Sequence, residues 1–132
     1  MKIICFRGSH NCGKSKTIKR VLNQFFKINR VPLAKREVNI IFTWNNKRVI
    51  ICSQGDSKHE IQKLLLNPLK TEKCDIVICA CHKRNSAFRL LDDEFGEANI
   101  DFIECPKGES EDEYNRRINI FKELISVLER KE

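Results

Sequence analysis

The amino end of this chain constrains its fold more than any other part of the sequence. The run Lys2–Phe6 is short and apolar, which predicts a buried β-strand. A loop bounded by two glycines, Gly8–Ser15, follows it with the sequence GSHNCGKS. Apolar residues then recur at helical spacing: Ile18, Val21, Leu22, Phe25 and Phe26. The chain is therefore expected to begin with a strand, a tight loop and an amphipathic helix.

The loop has the spacing G-x-x-x-x-G-K-S, and its residue types suit a chain of phosphates. Glycines let backbone N–H groups turn inward around an anion, and the helix N-terminus adds partial positive charge. Lys14 can reach the β- and γ-phosphates, and Ser15 can offer its hydroxyl to Mg²⁺. A glycine-rich turn without a ligand is the structural alternative. The expected nucleotide-binding residues are Gly8, Ser9, His10, Asn11, Cys12, Gly13, Lys14, Ser15 and Lys16.

On these residues the chain resembles the P-loop NTPase superfamily of the Walker A type. The close match ends near Ile28, and beyond it only the order of elements agrees. The resemblance implies that a nucleoside triphosphate is the ligand, with Mg²⁺ as cofactor. The guanine signature N-K-x-D is absent, because Cys105–Glu109 follows the last expected strand. ATP is therefore the default ligand, with GTP as the alternative.

The rest of the chain alternates strand and helix signals. Two runs separated by Asn45-Asn46-Lys47 predict an antiparallel hairpin. Pro68 is expected to follow the end of a helix, and Gly96 to cap the next one. The further strands are expected over Val38–Trp44, Arg48–Ser53, Asp75–Cys81 and Ile100–Cys105, and the further helices over Ser57–Leu66, Asn85–Phe95 and Ser110–Arg130.

This order of elements predicts one domain over residues 1–132. The fold class is a three-layer α/β/α sandwich, P-loop NTPase-like, with about five mostly parallel strands and one antiparallel hairpin strand. The order looks like that of a small Ras-like P-loop domain, which implies the strand order 2-3-1-4-5.

Ligands of α/β sheets bind at the carboxyl ends of the strands, which directs attention to the loop after the third strand. Its sequence, Ser53-Gln54-Gly55-Asp56, resembles the GTPase D-x-x-G only loosely. Asp56 is the candidate for Mg²⁺ binding and catalysis. The alternative is that Asp56 only caps the following helix. In that case Ser53, Gln54 or Glu37 would be examined next.

The fourth expected strand ends in His82-Lys83-Arg84, three basic residues that open toward the same edge. Arg84 or Lys83 could neutralise transition-state charge or bind an anionic second substrate. Arg84 is the third expected catalytic residue, beside Lys14 and Asp56. A basic loop of no special role is the alternative.

Net charge and cysteine content indicate which partners and which cellular compartment to expect. The formal net charge is +7, and the first helix could present a basic face to nucleic acid, although a solvated face is the simpler interpretation. The seven cysteines are odd in number and lie mostly in apolar runs, as expected for free thiols in a reduced cytoplasm. No apolar stretch is long enough to span a membrane.

Two functions are therefore expected. In the first, the protein binds ATP or GTP with Mg²⁺, hydrolyses it weakly, and acts as a nucleotide-gated switch or small NTPase. The segments Asn29–Arg36 and Ser53–Ser57 would then grip a protein partner. In the second, it is a small-acceptor phosphotransferase, a P-loop kinase that uses His82-Lys83-Arg84. The weak acidic signature and the missing lid favour the first.

Overall fold

Strands and helices alternate along the chain as the sequence predicts. The structure is a computed structural model that describes residues 1–9, 11–28, 37–55, 57–83, 85–108 and 110–130. For residues 129 and 130 it describes the backbone only. The strands are β1 (Lys2–Arg7), β2 (Asn39–Trp44), β3 (Lys47–Cys52), β4 (Ile76–Cys81) and β5 (Ile100–Glu104). The helices are α1 (Lys14–Gln24), α2 (Lys58–Ile61), α3 (Asn67–Thr71), α4 (Ser86–Phe95) and α5 (Glu111–Arg130).

The five strands form one mixed sheet in the order β2-β3-β4-β1-β5. Only the β2–β3 pair is antiparallel, and the other neighbours are parallel. The expected α/β class and the antiparallel hairpin are confirmed. The Ras-like strand order 2-3-1-4-5 is wrong, because β4 lies between β3 and β1. Every residue of β4 is buried, which suits a strand with neighbours on both edges and helices on both faces.

Helices flank the sheet and produce two separate apolar cores. On one face, Ile4 and Phe6 of β1 join a cluster with residues of α1 and α5, including Ile18 and Phe121. On the other face, Ile3 and Cys5 alternate into a second cluster with the helices between β3 and β5. This period of two along β1 determines which side of the sheet each later residue of the strand meets.

Local signals fix several turns and helix ends as expected. Asn45 and Asn46 have φ angles of 47° and 63°, the left-handed values that a tight hairpin turn requires. Asn85 caps α4 by accepting hydrogen bonds from the backbone N–H groups of Ala87 and Phe88. Gly96 follows α4 with a φ of 83°. These small polar residues and glycine therefore set the boundaries that the sequence indicates.

The helical segment after β3 is longer than expected. A π-helical turn, Gln62–Leu66, links α2 to α3, and Pro68 lies in the first turn of α3 instead of beyond a helix end. In this turn the N–H of Asn67 bonds to the carbonyl of Gln62, five residues earlier. Pro68 has no N–H to give to a regular helical ladder, and the ladder changes to π-type bonding in the turn directly before it.

All seven cysteines are free thiols and all are buried. Most of them extend the apolar faces of strands, in the manner of small hydrophobic residues. Among the described residues, no helix is both long enough and apolar enough to cross a membrane.

Candidate functional site

The Gly8–Ser15 loop leaves the carboxyl end of β1 and continues into the first turn of α1. The N–H of Gly8 donates to the carbonyl oxygen of Cys81 at 3.1 Å, which ties the loop to the end of β4. A side chain at position 8 would lie 2.5 Å from both the Cys105 carbonyl oxygen and the Cys12 sulfur. Asn11 and Gly13 have φ angles of 62° and 84°. The loop is thus tightly curled at the positions where the sequence places its glycines.

Lys14 points into this loop and not into solvent. Its side chain is only 7% exposed. Its Nζ donates to the carbonyl oxygens of Gly8 at 2.7 Å and Ser9 at 3.3 Å. A buried ammonium is costly unless it is paired, so the loop is built around this positive charge. Of the other expected loop residues, Lys16 is exposed, and His10 lies outside the described residues.

The N-terminus of α1 differs from those of α2 and α4, which side chains cap. Its capping residue is Gly13, which offers no side-chain hydrogen bond, and no acidic residue lies in its first turn. By contrast, Ser57 caps α2 and Asn85 caps α4. The first N–H groups of a helix lack partners within the helix. The start of α1 is therefore suited to an anion, because Gly13 offers its first N–H groups no side-chain acceptor.

Ser15 belongs to a hydrogen-bonded group of oxygen atoms from Glu37 and Ser53. The sequence analysis named these two residues only as second choices for the Mg²⁺ site, after Asp56. The Ser15 hydroxyl donates to the two carboxylate oxygens of Glu37 at 3.1 and 3.3 Å. Ser53 also donates to this carboxylate at 2.6 Å, and the N–H of Val38 donates to Ser53 Oγ at 2.7 Å. These contacts continue the β2–β3 pairing beyond its last ladder residues. Hydroxyl and carboxylate oxygens are ligands that Mg²⁺ prefers, so this group fits the expected metal.

The position of β4 changes the setting of the loop after β3. The expected strand order placed β3 directly beside β1, and this is wrong because β4 lies between them. Gly55 nevertheless crosses over the end of β4, where an added side chain would lie 1.6 Å from the Ala80 carbonyl oxygen. Asp56 itself lies outside the described residues. Gln54 bonds to Glu60 and so turns toward α2.

The basic segment after β4 begins directly beside the Gly8–Ser15 loop, since the N–H of Gly8 donates to the carbonyl oxygen of Cys81. His82 has a buried Nδ1 with no hydrogen-bond partner in the described part of the chain. A buried polar atom without a partner is rare and calls for an explanation such as a ligand. Lys83 is exposed, and Arg84 lies outside the described residues.

Cys12 is the loop residue whose ionisation the site changes most. The neighbouring Cys105 thiol, and then the charges of Lys14 and Arg117, lower the pKa of Cys12 to about 6, against the effect of burial. The same contact with Cys12, together with burial, raises the pKa of Cys105. Within this pair the pKa of Cys12 is thus the lowered one, as expected for a thiol beside a lysine at the start of a helix.

Arg117 of α5 is a fully buried residue that the sequence analysis missed. It donates to Thr17 Oγ1 of α1 at 3.0 Å and to the Pro106 carbonyl oxygen at 2.9 Å. It also pairs with Glu113 at 3.0 Å. Arg117 lies three residues after Tyr114, which belongs to the apolar stripe of α5. Residues three apart share one face of a helix, so this spacing indicated that Arg117 is buried. Arg117 therefore joins α1, α5 and the segment after β5 beneath the loop.

The basic face expected on α1 is smaller than its sequence indicates. Lys14 is buried, and Arg20 makes a two-pronged pair with Glu111 at 2.7 and 2.8 Å. Arg20 also lies over the Tyr114 ring at 4.2 Å. The cations expected on this face are Lys14, Lys16, Lys19, Arg20 and Lys27. Of these, Lys14 contacts the loop, and Arg20 contributes to the packing of α1 on α5.

Comparisons of the chain with protein families, with curated proteins and with solved structures give no match. The fold and the site define an α/β protein with a five-stranded mixed sheet and flanking helices. Its glycine-bounded loop holds a buried lysine at the edge where α/β proteins bind ligands.

Proposed function

We propose that this protein is a P-loop NTPase that binds ATP, or GTP, with Mg²⁺ in the Gly8–Ser15 loop and hydrolyses it. The observation that carries the proposal is Lys14, which is buried inside the loop at the start of α1. A fixed ammonium and a helix N-terminus without a side-chain cap are two sources of positive potential at one point. A triphosphate is the ligand that matches both.

In this proposal Ser15 and Glu37 would hold Mg²⁺ or its bound water. The Ser15 hydroxyl and the Glu37 carboxylate are already 3.1 Å apart, and Ser53 fixes the carboxylate. Bound Mg²⁺ would neutralise charge on the phosphates and orient them. Asp56 remains a candidate for the same role, because Gly55 brings its segment over the end of β4.

Phosphoryl transfer needs positioning and charge neutralisation more than covalent chemistry from the protein. Lys14 would neutralise charge on the β- and γ-phosphates. Glu37 or Asp56 would orient the attacking water. His82 Nδ1, which has no hydrogen-bond partner among the described residues, would offer a hydrogen bond at the same edge. Arg84 would serve there as a further cation.

Titration calorimetry with ATP and GTP in the presence of Mg²⁺ tests the binding proposal. Lys14→Ala should weaken nucleotide binding at least tenfold, because a charged hydrogen bond contributes about 1.5–3 kcal/mol. The matched control is Lys122→Ala, which removes an exposed lysine of α5 and should leave binding unchanged. Circular dichroism of each variant checks that the fold is retained. Equal affinity in the wild-type protein and Lys14→Ala would reject the proposal.

A second experiment separates the two candidate acids. Glu37→Gln should raise the Mg²⁺ concentration needed for nucleotide binding, because an amide removes one negative charge from the metal shell. Asp56→Asn should do the same if Asp56 is the ligand. It should change nothing if Asp56 is not a ligand, because the cap of α2 is Ser57 and not Asp56. Unchanged Mg²⁺ titrations in both variants would remove both residues from the metal site.

The protein would act as a nucleotide-gated switch or a small NTPase. The alternative is a small-acceptor phosphotransferase, and one observation favours it. Lys83 and Arg7 line a common pocket, and Arg7 directly precedes the loop. Turnover measured with and without small phosphate acceptors would separate hydrolysis from transfer.

A further inference from the structure

A pocket of about 560 Å³ opens beside the carboxyl end of β1, on the face of the sheet that α4 covers. We name it the Arg7 pocket. Arg7 continues the alternation of Ile3 and Cys5, so its side chain lies on this face, away from α1. The residues that line the pocket are Arg7, Lys83, Phe88, Arg89, Glu97 and Glu104.

Arg7 lines this pocket, and contacts with an aromatic ring and two carboxylates fix the position of its guanidinium. Its guanidinium lies over the Phe102 ring at 4.0 Å and pairs with Glu104 at 2.6 Å. Glu97 lies 3.8 Å from the same guanidinium. Both acidic groups of the pocket are therefore on the Arg7 side, and both face its positive charge.

Two further cations line the Arg7 pocket. Lys83 comes from the segment after β4, and Arg89 from the first turns of α4. Neither side chain makes an ion pair or a hydrogen bond with the residues that the structure describes. Phe88 directly precedes Arg89, and its ring is partly exposed and lies 5.5 Å from the Arg7 guanidinium. Lys83 and Arg89, without partners among the described residues, thus line a concave site together with an aromatic ring, a combination that suits small-molecule binding.

We propose that the Arg7 pocket binds a small phosphate monoester with an apolar body. The phosphate group carries a charge of about −1.5 to −2 at neutral pH, which matches the charges of Lys83 and Arg89. The apolar body would lie against Phe88. The pocket is distinct from the Gly8–Ser15 loop, and the inference does not depend on nucleotide binding there.

Titration of the protein with phenyl phosphate, without nucleotide, tests this proposal. The probe joins a dianionic group to an aromatic ring. Benzoate and inorganic phosphate are the comparison arms, since each supplies only part of that chemistry. Phenyl phosphate should bind most tightly, and the double substitution Lys83→Gln with Arg89→Gln should weaken it at least tenfold. Lys70→Gln with Lys122→Gln removes two exposed lysines elsewhere and should change nothing.

Lys14→Ala distinguishes this site from the phosphate loop, because phenyl phosphate could also enter the loop. Binding that survives Lys14→Ala and is lost in the double variant supports the Arg7 pocket, whatever the loop binds. Binding that is lost in Lys14→Ala and kept in the double variant assigns the anion to the loop and overturns the proposal. Absence of saturable binding in the wild-type protein overturns it as well, and leaves the nucleotide proposal untouched.

Discussion

Arg117→Met is the substitution that should show most clearly how the loop is supported. Arg117 is fully buried, and it donates to Thr17 Oγ1 and to the Pro106 carbonyl oxygen. Methionine fills much of the same volume but donates no hydrogen bond. Each buried acceptor left without a donor costs about 1–3 kcal/mol. Glu113 keeps its pair with Arg116 at 2.6 Å, so its charge stays compensated.

The expected loss is therefore about 3 kcal/mol in the free energy of unfolding, at the lower end of the range for breaking a buried pair. Urea unfolding measures it, because a small single domain usually unfolds in one transition. Arg116→Met is the matched control, since this neighbouring arginine contacts the same carboxylate but is 43% exposed. The control should lose less than about 1 kcal/mol. A loss of under about 1 kcal/mol in Arg117→Met as well would refute the role of Arg117 as a buried support.

Two predictions concern pH. The Cys12 thiol, with its pKa lowered to about 6, should show thiolate absorbance with a midpoint near that value, and Cys12→Ala should abolish this transition. Because the folded pKa lies below the unfolded value of about 8.5, ionisation of Cys12 should increase stability as the pH rises between the two; no thiolate below about pH 8 would contradict the prediction. Hydrogen bonds from Arg116, and then Arg117, lower the pKa of Glu113 to about 2, so the stability it confers is present above about pH 4.3 and is lost toward pH 2. Glu113→Gln should consequently lose less stability than the wild-type protein between about pH 5 and pH 3, and parallel curves in urea unfolding would count against the pairing.

Features that depend on neighbouring residues in sequence could be predicted well. Asn45-Asn46 indicated the hairpin and Gly96 the end of α4, because each acts through its own backbone or that of adjacent residues. The start of α4 was expected at Asn85, one residue early, and Asn85 is its cap. The apolar runs of β1 and β4 likewise predicted strands. Such signals are local, and the structure confirms them.

The strand order could not be predicted in the same way. Several strands are continuous apolar runs, and nothing in such a run states which other buried strand lies beside it. The resemblance near the amino end supplied an order that the rest of the chain does not follow. Placement of β4 beside β1 depends on packing across the whole sheet, which no local window contains.

The candidate site could be predicted only in part, because some of its residues come from distant segments of the chain. The Gly8–Ser15 loop and Lys14 follow from one contiguous motif. Glu37 reaches Ser15 only because the β2–β3 pairing extends to Val38 and Ser53, far from the motif in sequence. Arg117 was missed because arginine on a helix is usually assigned to solvent.

The bond between Gly8 and Cys81 has a consequence for how the protein folds. The motif is contiguous, but the strand end that holds its first residue is contributed by a distant part of the chain. Gly55 closes against the same strand end from the other side. Contacts between residues far apart in sequence form late and slowly, because loop closure must precede them. An isolated peptide that contains the whole motif would therefore lack the shape of the loop, which should arise together with the completed sheet.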